Sequence, residues 1–403
     1  MEVGMFMIYQ GDGHGLNNEE MVQAETALAI RAEEWGFDSV WMPEHYTHNG
    51  YSISGDPTQL LTYIAAKTSR IKLGTAGIIL PWWDPLRVAH NVSLVDILSN
   101  GRMQVGFGRG LAPREYRAFR VDMNESRERF DEAASMIVEA LETGVMEGDG
   151  KYFKQPRVEI HPASPRSFKD RLYSIAVSPG SAAAAADLGA TLMMFVRQDA
   201  ELDVPVIDEW RTRFVAKHGR EPTRPPIMLD FTYRHEDKKV AEEVTRKYLV
   251  SHFKALEHHY SWAGDQWADI KGYENYAAEA NAIQEIGIDT AAEAFLNQAA
   301  WGTPTEVAEK IQARRDVIGE GQYAETEAWI RELLTEAGVD VSQIPLGPSA
   351  GPAPVRHRIT RELYAGTRWA LGNYIGNAPF SSATMKKPSL YNCLLYTSDA
   401  ADE

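Results

Sequence analysis

The chain is nearly without cysteine: Cys393 is the only one in 403 residues, which leaves no disulfide framework and no thiolate metal cluster. No apolar stretch reaches the ~20 residues that span a bilayer. The N-terminus runs straight into Val3-Gly4-Met5-Phe6-Met7-Ile8, without the basic region and cleavage site of a secretory leader, so a cytoplasmic protein is expected. Basic side chains are also in deficit, with 41 Lys and Arg against 57 Asp and Glu and a net charge of -16. Nucleic acid and anionic membranes are therefore not expected partners. A Gly-rich dinucleotide fingerprint with its downstream acidic residue is missing as well.

Apolar side chains are plentiful, at 44% of the sequence with 10 Trp and 17 Tyr, so the chain can bury a large core. Short apolar runs alternate with helical periodicity. Strands are predicted over residues 3–9, 37–42, 71–80, 103–107, 172–177, 191–196 and 226–233. Helices are predicted over 19–35, 57–67, 85–98, 126–141, 181–188, 207–218, 237–260 and 305–315. Pro85 suits a first helical turn, where a missing N–H costs nothing. Strand and helix units with short joints imply right-handed crossovers and a parallel sheet. Residues 145–170 read as an insertion, and the aromatic stretch 261–300 as a lid. An eighth strand is poorly marked: 339–346 is the best candidate, although Asp340, Ser342 and Gln343 interrupt it, and 347–357 has the composition of a linker.

Polar groups collect where the apolar runs end: Pro43-Glu44-His45, Thr75-Ala76-Gly77, Gly108-Arg109-Gly110 and Ser178-Pro179-Gly180-Ser181. In a parallel barrel these ends share one face. His45 can exchange a proton near neutral pH, or can simply hydrogen-bond within a loop. Glu44 can orient His45 or pair with a barrel arginine. Arg109 offers a planar fork to a phosphate between two glycines, whose spacing is equally that of an ordinary turn. The segment 178–181 opens a helix and suits a dianion, or serine N-capping alone. His252, His258 and His259 lack the ligand geometry of a metal centre, and no metal is expected.

Gly36-Phe37-Asp38-Ser39-Val40-Trp41, Glu44-His45, Gly74-Thr75-Ala76 through Pro85-Leu86-Arg87, Gly106-Phe107-Gly108-Arg109-Gly110-Leu111 and Asp122-Met123-Asn124-Glu125-Ser126-Arg127 occur in this order. With this set the sequence resembles the bacterial luciferase-like flavin monooxygenases, from residue 1 to about Gly319. The resemblance implies an α/β fold, a (β/α)8 TIM barrel over 1–319 with irregular or incomplete C-terminal closure. It implies reduced FMN at the C-terminal ends of the strands, and insertion of one oxygen atom of O2 into a small apolar carbonyl or hydrocarbon-like substrate through a flavin C4a-hydroperoxide. His45 matches the catalytic histidine, with Glu44 beside it. Arg109, Ser178, Gly180 and Ser181 match the phosphate end, and Ala76-Gly77 matches a strand-end pair whose peptide is often cis beneath the flavin ring.

The missing dinucleotide fingerprint then implies a flavin reductase as transient partner, and a homodimer is expected. Gly108 and Tyr46 stand where the light-emitting subunit has a cysteine and a second histidine, so a luciferase proper is not expected. F420-dependent hydride transfer and non-catalytic flavin binding are the alternatives. Residues 320–390 carry no recognisable closing strand, and 391–403 read as a non-native tail.

Overall fold

The computed structural model describes residues 2–318 apart from 12–14, 49 and 197–199, together with 331, 335 and 391–396. The first half alternates as expected: β1 (Glu2–Phe6), α1 (Asn18–Ala32), β2 (Ser39–Met42), α2 (Pro57–Ala65), β3 (Lys72–Thr75), β4 (Ile78–Ile79), α3 (Pro85–Leu98), β5 (Met103–Gly108), α4 (Pro113–Phe119) and α5 (Ser126–Thr143). The insertion forms an antiparallel pair, β6 (Val145–Asp149) with β7 (Lys154–Glu159). Alternation then resumes with β8 (Leu172–Ile175), α6 (Pro179–Asp187), β9 (Thr191–Phe195), α7 (Val204–His218) and β10 (Ile227–Arg234). Beyond it lie α8 (Lys238–Tyr260), α9 (Tyr276–Ile286), α10 (Ile288–Leu296), β11 (Ala300–Gly302), α11 (Pro304–Ile318) and β12 (Tyr391–Tyr396).

Among the described residues, seven strands pair in parallel in the order β1-β2-β3-β5-β8-β9-β10, and β4 and β11 add short parallel pairings to β5 and β10. The eighth place falls to β12, which runs antiparallel between β1 and β10, with Met5 opposite Cys393 and Leu229 opposite Leu394. The closure is thus irregular, as expected, but it is made by the segment that reads as a tail. Residues 339–346 and 347–357 lie outside the described residues. The third expected strand is split into β3 and β4 at the Ala76–Gly77 peptide, which is cis.

Side-chain alternation assigns the two faces of the sheet. Val40, Met42, Leu73 and Val105 join Leu61, Ile64, Val92 and Ile137 of the surrounding helices in one core. The alternate residues form a second cluster inside the barrel, with Phe6, Trp41, Tyr173, Met193 and Leu229. Trp41 is fully buried, meets Tyr173 edge-on at 5.0 Å and donates from its indole N–H to Ser39 Oγ at 2.8 Å. It fits because both flanking strands carry glycine beside it: a Cβ on Gly4 would lie 2.9 Å from the indole, and one on Gly74 only 2.1 Å away. The barrel floor is therefore one indole spread across three strands.

Helix starts carry their stop-and-start chemistry locally. Asn17 and Glu20 reciprocally cap α1, and Asp56 and Asp84 cap α2 and α3 ahead of Pro57 and Pro85. Each such cap contributes about 1 kcal/mol. Short joints of this kind bring the strand ends, and the polar residues on them, to one mouth.

Candidate active site

Glu44 follows β2 and is almost fully buried. Its carboxylate accepts from the Ile79 amide at 2.8 Å, from Trp82 Nε1 at 3.0 Å, from Trp83 Nε1 at 2.7 Å and from the Tyr46 hydroxyl at 3.0 Å. Burial pushes Glu44 up to about 8, against the pull of those donors. It stitches the β2 loop to the turn after β4, and none of these four partners is an arginine.

His45, the next residue, points into a cluster of rings. Tyr51, His259 and Tyr260 lie edge-on to it at centroid distances of 5.0, 5.2 and 5.9 Å. His45 Nε2 is 3.3 Å from the Tyr260 hydroxyl, which is 3.4 Å from that of Tyr51. On its other side His45 Nδ1 lies 3.5 Å from Glu115 Oε2, and His259 Nε2 lies 3.5 Å from Glu115 Oε1. The donor atoms of His45, Glu115 and His259 all fall within 4.8 Å of one another. Burial opposes the charge of Glu115, yet the two imidazoles outweigh it and bring the carboxyl down to about 2. Burial pushes His259 below the ordinary histidine range, and Tyr51 up to about 12.

Glu115 and His259 are missing from the sequence-based site. Glu115 sits on α4, a seven-residue helix too short to show apolar periodicity. His252, His258 and His259 diverge. His252 Nδ1 meets Gln10 Oε1 at 2.8 Å, and burial brings this histidine down to about 4. His258 meets Arg114, and His259 meets Glu115.

The residues expected on the flavin side lie at the ends of β3, β5 and β8. Thr75 Oγ1 bridges both backbone groups of Gly106, donating to its carbonyl at 2.9 Å and accepting its amide at 2.8 Å. A Cβ on Gly77 would stand 2.8 Å from the Phe107 carbonyl carbon, so this wall is bare backbone by necessity. Arg109 stacks on Tyr273 at 3.9 Å and donates to the Gly272 carbonyl at 2.8 Å. Burial and the charge of Arg109 both lower the Arg127 guanidinium from its ordinary value. Ser178 and Ser181 cap α6 reciprocally, with their hydroxyls 3.0 Å apart, and a Cβ on Gly180 would meet nothing within 4 Å. The serine N-cap reading is thus realised, and the helix N-terminus beside it is open.

Segment 261–300 is anchored across the end of β5. Tyr273 donates to the Gly110 carbonyl at 2.6 Å, the Lys271 amide donates to Asn124 Oδ1 at 2.9 Å, and Trp267 and Tyr273 bury against Tyr116 and Met123.

The Luciferase-like monooxygenase family model matches residues 1–321. The alkanal monooxygenase alpha chain of Photorhabdus luminescens is 31% identical over 336 residues, covering 79% of this chain and 89% of its own length. Among solved structures, the monooxygenase RslO1 of Streptomyces bottropensis is 27% identical with a TM-score of 0.61, over 79% of this chain and 90% of its own. The FMN complex of the oxygenating constituent of 3,6-diketocamphane monooxygenase from Pseudomonas putida shares the fold at 16% identity and a TM-score of 0.60, over 82% and 95%. An F420-dependent secondary alcohol dehydrogenase shares it at 18% and 0.58, over 79% and 91%. The match over residues 1–321 and the Photorhabdus relative place this chain in the luciferase-like monooxygenase family.

Proposed function

We propose that the protein is a monooxygenase that takes reduced FMN from a separate reductase and places one atom of O2 in an apolar carbonyl or hydrocarbon-like substrate, the other atom leaving as water. The supporting observation is one barrel mouth that combines a histidine–tyrosine pair, 3.3 Å apart, with an apolar floor of Phe6, Met193 and Leu229. Reduced flavin, when bound, supplies the two electrons that activate O2.

The residues present fit such a group. The open N-terminus of α6 at Gly180 and the Arg109 guanidinium suit a phosphate dianion. Arg109 spends one donor on Gly272 and has others to offer. Ala76 and Gly77, with no side chain beyond a methyl, leave a flat wall for a planar ring. Arg109, Ser178, Gly180 and Ser181 would hold the phosphate end, and Ala76–Gly77 the ring.

The chain's own chemistry is proton handling and exclusion of water. His45 takes and returns a proton at Nε2, with Tyr260 in reach. Glu44 fixes the loop that carries it. The segment 261–300 acts as a lid, since an oxygen-transfer step needs a dry site. The Photorhabdus relative is named for an alkanal, and an apolar aldehyde is the first substrate to try.

The test is oxygen uptake by the purified full chain with reduced FMN and a panel of apolar aldehydes and ketones under labelled O2. One labelled oxygen atom in the product supports the proposal. Reduction of F420 by an alcohol, with no oxygen uptake, would replace it by hydride transfer. Tight FMN retention without turnover would replace it by flavin binding alone.

A further inference from the structure

Glu115, His259 and Tyr260 have no counterpart in the sequence-based site, yet they surround His45. Glu115 is 1% exposed, and its oxygens are divided between two imidazoles. Oε1 also accepts the Tyr46 amide at 2.5 Å, which fixes the carboxylate relative to the β2 loop. At about 2, this carboxyl is an anion throughout the neutral range. The outer groups are basic or neutral: His48 stacks on His259 at 5.6 Å, His258 lies 4.7 Å from His48, and Arg114 reaches His258 at 3.4 Å. Glu44 is engaged elsewhere, with Trp82 and Trp83.

A neutral imidazole carries its proton on one nitrogen only. If His45 Nδ1 were bare, its lone pair would face a buried anion 3.5 Å away. A proton on Nδ1 turns that repulsion into attraction, and in a low-dielectric site the difference is large. Burial and the neighbouring Tyr51 hold the Tyr260 phenol well above its usual range, so it keeps its proton. It can therefore donate to a bare Nε2, 3.3 Å away, or accept from a protonated one. Glu115, which can only accept, is the neighbour that selects the tautomer.

Resting on the reading of His45 given above, we propose that Glu115 is its positioning residue: it holds the proton on His45 Nδ1 and leaves Nε2 basic, facing the Tyr260 hydroxyl and the barrel mouth. His259, at the end of α8, is the second imidazole beside the same carboxylate, 3.5 Å from its other oxygen. The division of labour follows the carboxylate–imidazole logic of hydrolytic triads, where the acid orients and the imidazole moves the proton.

The experiment is nitrogen-15 NMR of ring-labelled histidines in the full chain, with the His45 signals assigned by their loss in His45→Asn. Wild type is expected to show a protonated Nδ1 and a bare Nε2 on neutral His45. Glu115→Gln offers an amide donor to Nδ1, and should shift the population towards the Nε2–H form. Its FMN affinity should stay within about two-fold, while oxygenated product falls by about 10- to 100-fold, within the range of general acid–base help. Glu115→Asp should keep the wild-type tautomer, and stands in if the glutamine variant does not fold. An Nε2–H form in wild type, or one tautomer shared by wild type and Glu115→Gln, overturns the proposal. So does activity that is lost to EDTA and restored by Zn2+ or Mn2+, which would make the trio a metal ligand set. The NMR result does not depend on turnover, so failure of the oxygenase reading and failure of this one are separate outcomes.

Discussion

Gly74→Ala perturbs the barrel where the structure leaves no slack. The new Cβ would sit 2.1, 2.4 and 2.5 Å from three atoms of the Trp41 indole, whereas carbon atoms rest about 3.5 to 4.0 Å apart. The ring would have to retreat by roughly 1.5 Å to restore that spacing. It cannot retreat freely, because its N–H is tied to Ser39 and the ring is packed edge-on with Tyr173 at 5.0 Å. Overpacking a core typically costs about 1 to 3 kcal/mol, and loss of the indole hydrogen bond adds about 1. A destabilisation of about 2 to 4 kcal/mol is therefore expected in urea unfolding, as a lower midpoint at unchanged slope. Trp41→Leu removes the obstacle, at its own cost of about 3 kcal/mol for lost burial. The double variant should then be more stable than the sum of the two single effects by at least about 1.5 kcal/mol, the coupling of residues in contact. Strict additivity of the two substitutions would refute the picture of an indole wedged between glycines.

Arg109→Ala should weaken FMN binding about ten-fold or more while leaving turnover at saturating flavin nearly unchanged, because a phosphate contact remote from the reacting atoms is uniform binding; fluorescence titration with FMN checks it, and an unchanged dissociation constant contradicts the assignment. The depressed Glu115 carboxyl makes stability pH-dependent. Its folded value of about 2 lies below the ordinary ~4.3, so the stabilisation is present above the latter and is lost as pH falls through the former. About 3 kcal/mol is at stake by linkage. Urea midpoints of wild type should fall more steeply than those of Glu115→Gln between about pH 4.3 and 2, and parallel declines would contradict it.

Strand runs that end in glycine, histidine or arginine made the parallel barrel and the face that carries the candidate site readable from sequence, since both follow from local pattern. Trp41 against Gly4 and Gly74 was not readable, because strand register brings them together. Glu115 was hidden for the same reason: its partners are 70 and 144 positions away. The one local hint was a carboxylate a few residues beyond Arg109, on a helix too short to announce itself. His259 reads as a lid or surface histidine in sequence, but it closes the last turn of α8 over His45 and is fully buried. The strand 391–396 carries an apolar Cys393-Leu394-Leu395 run, yet nothing in the local pattern says that it returns to lie antiparallel between the first and seventh parallel strands.

On the proposed function, His45 governs proton transfer during oxygenation at this barrel mouth. The most direct measurement is the partition between oxygenated product and hydrogen peroxide in His45→Asn, supplied with saturating reduced FMN, O2 and an apolar aldehyde. Asparagine keeps a hydrogen-bonding side chain of similar size but cannot titrate near neutrality. FMN binding is expected to be retained, product to fall by about 100-fold or more, and peroxide to rise in its place, because reduced flavin still meets O2 without correct proton delivery. Wild-type product yield in this variant, with no added peroxide, would show that His45 only shapes the loop and does not handle the proton.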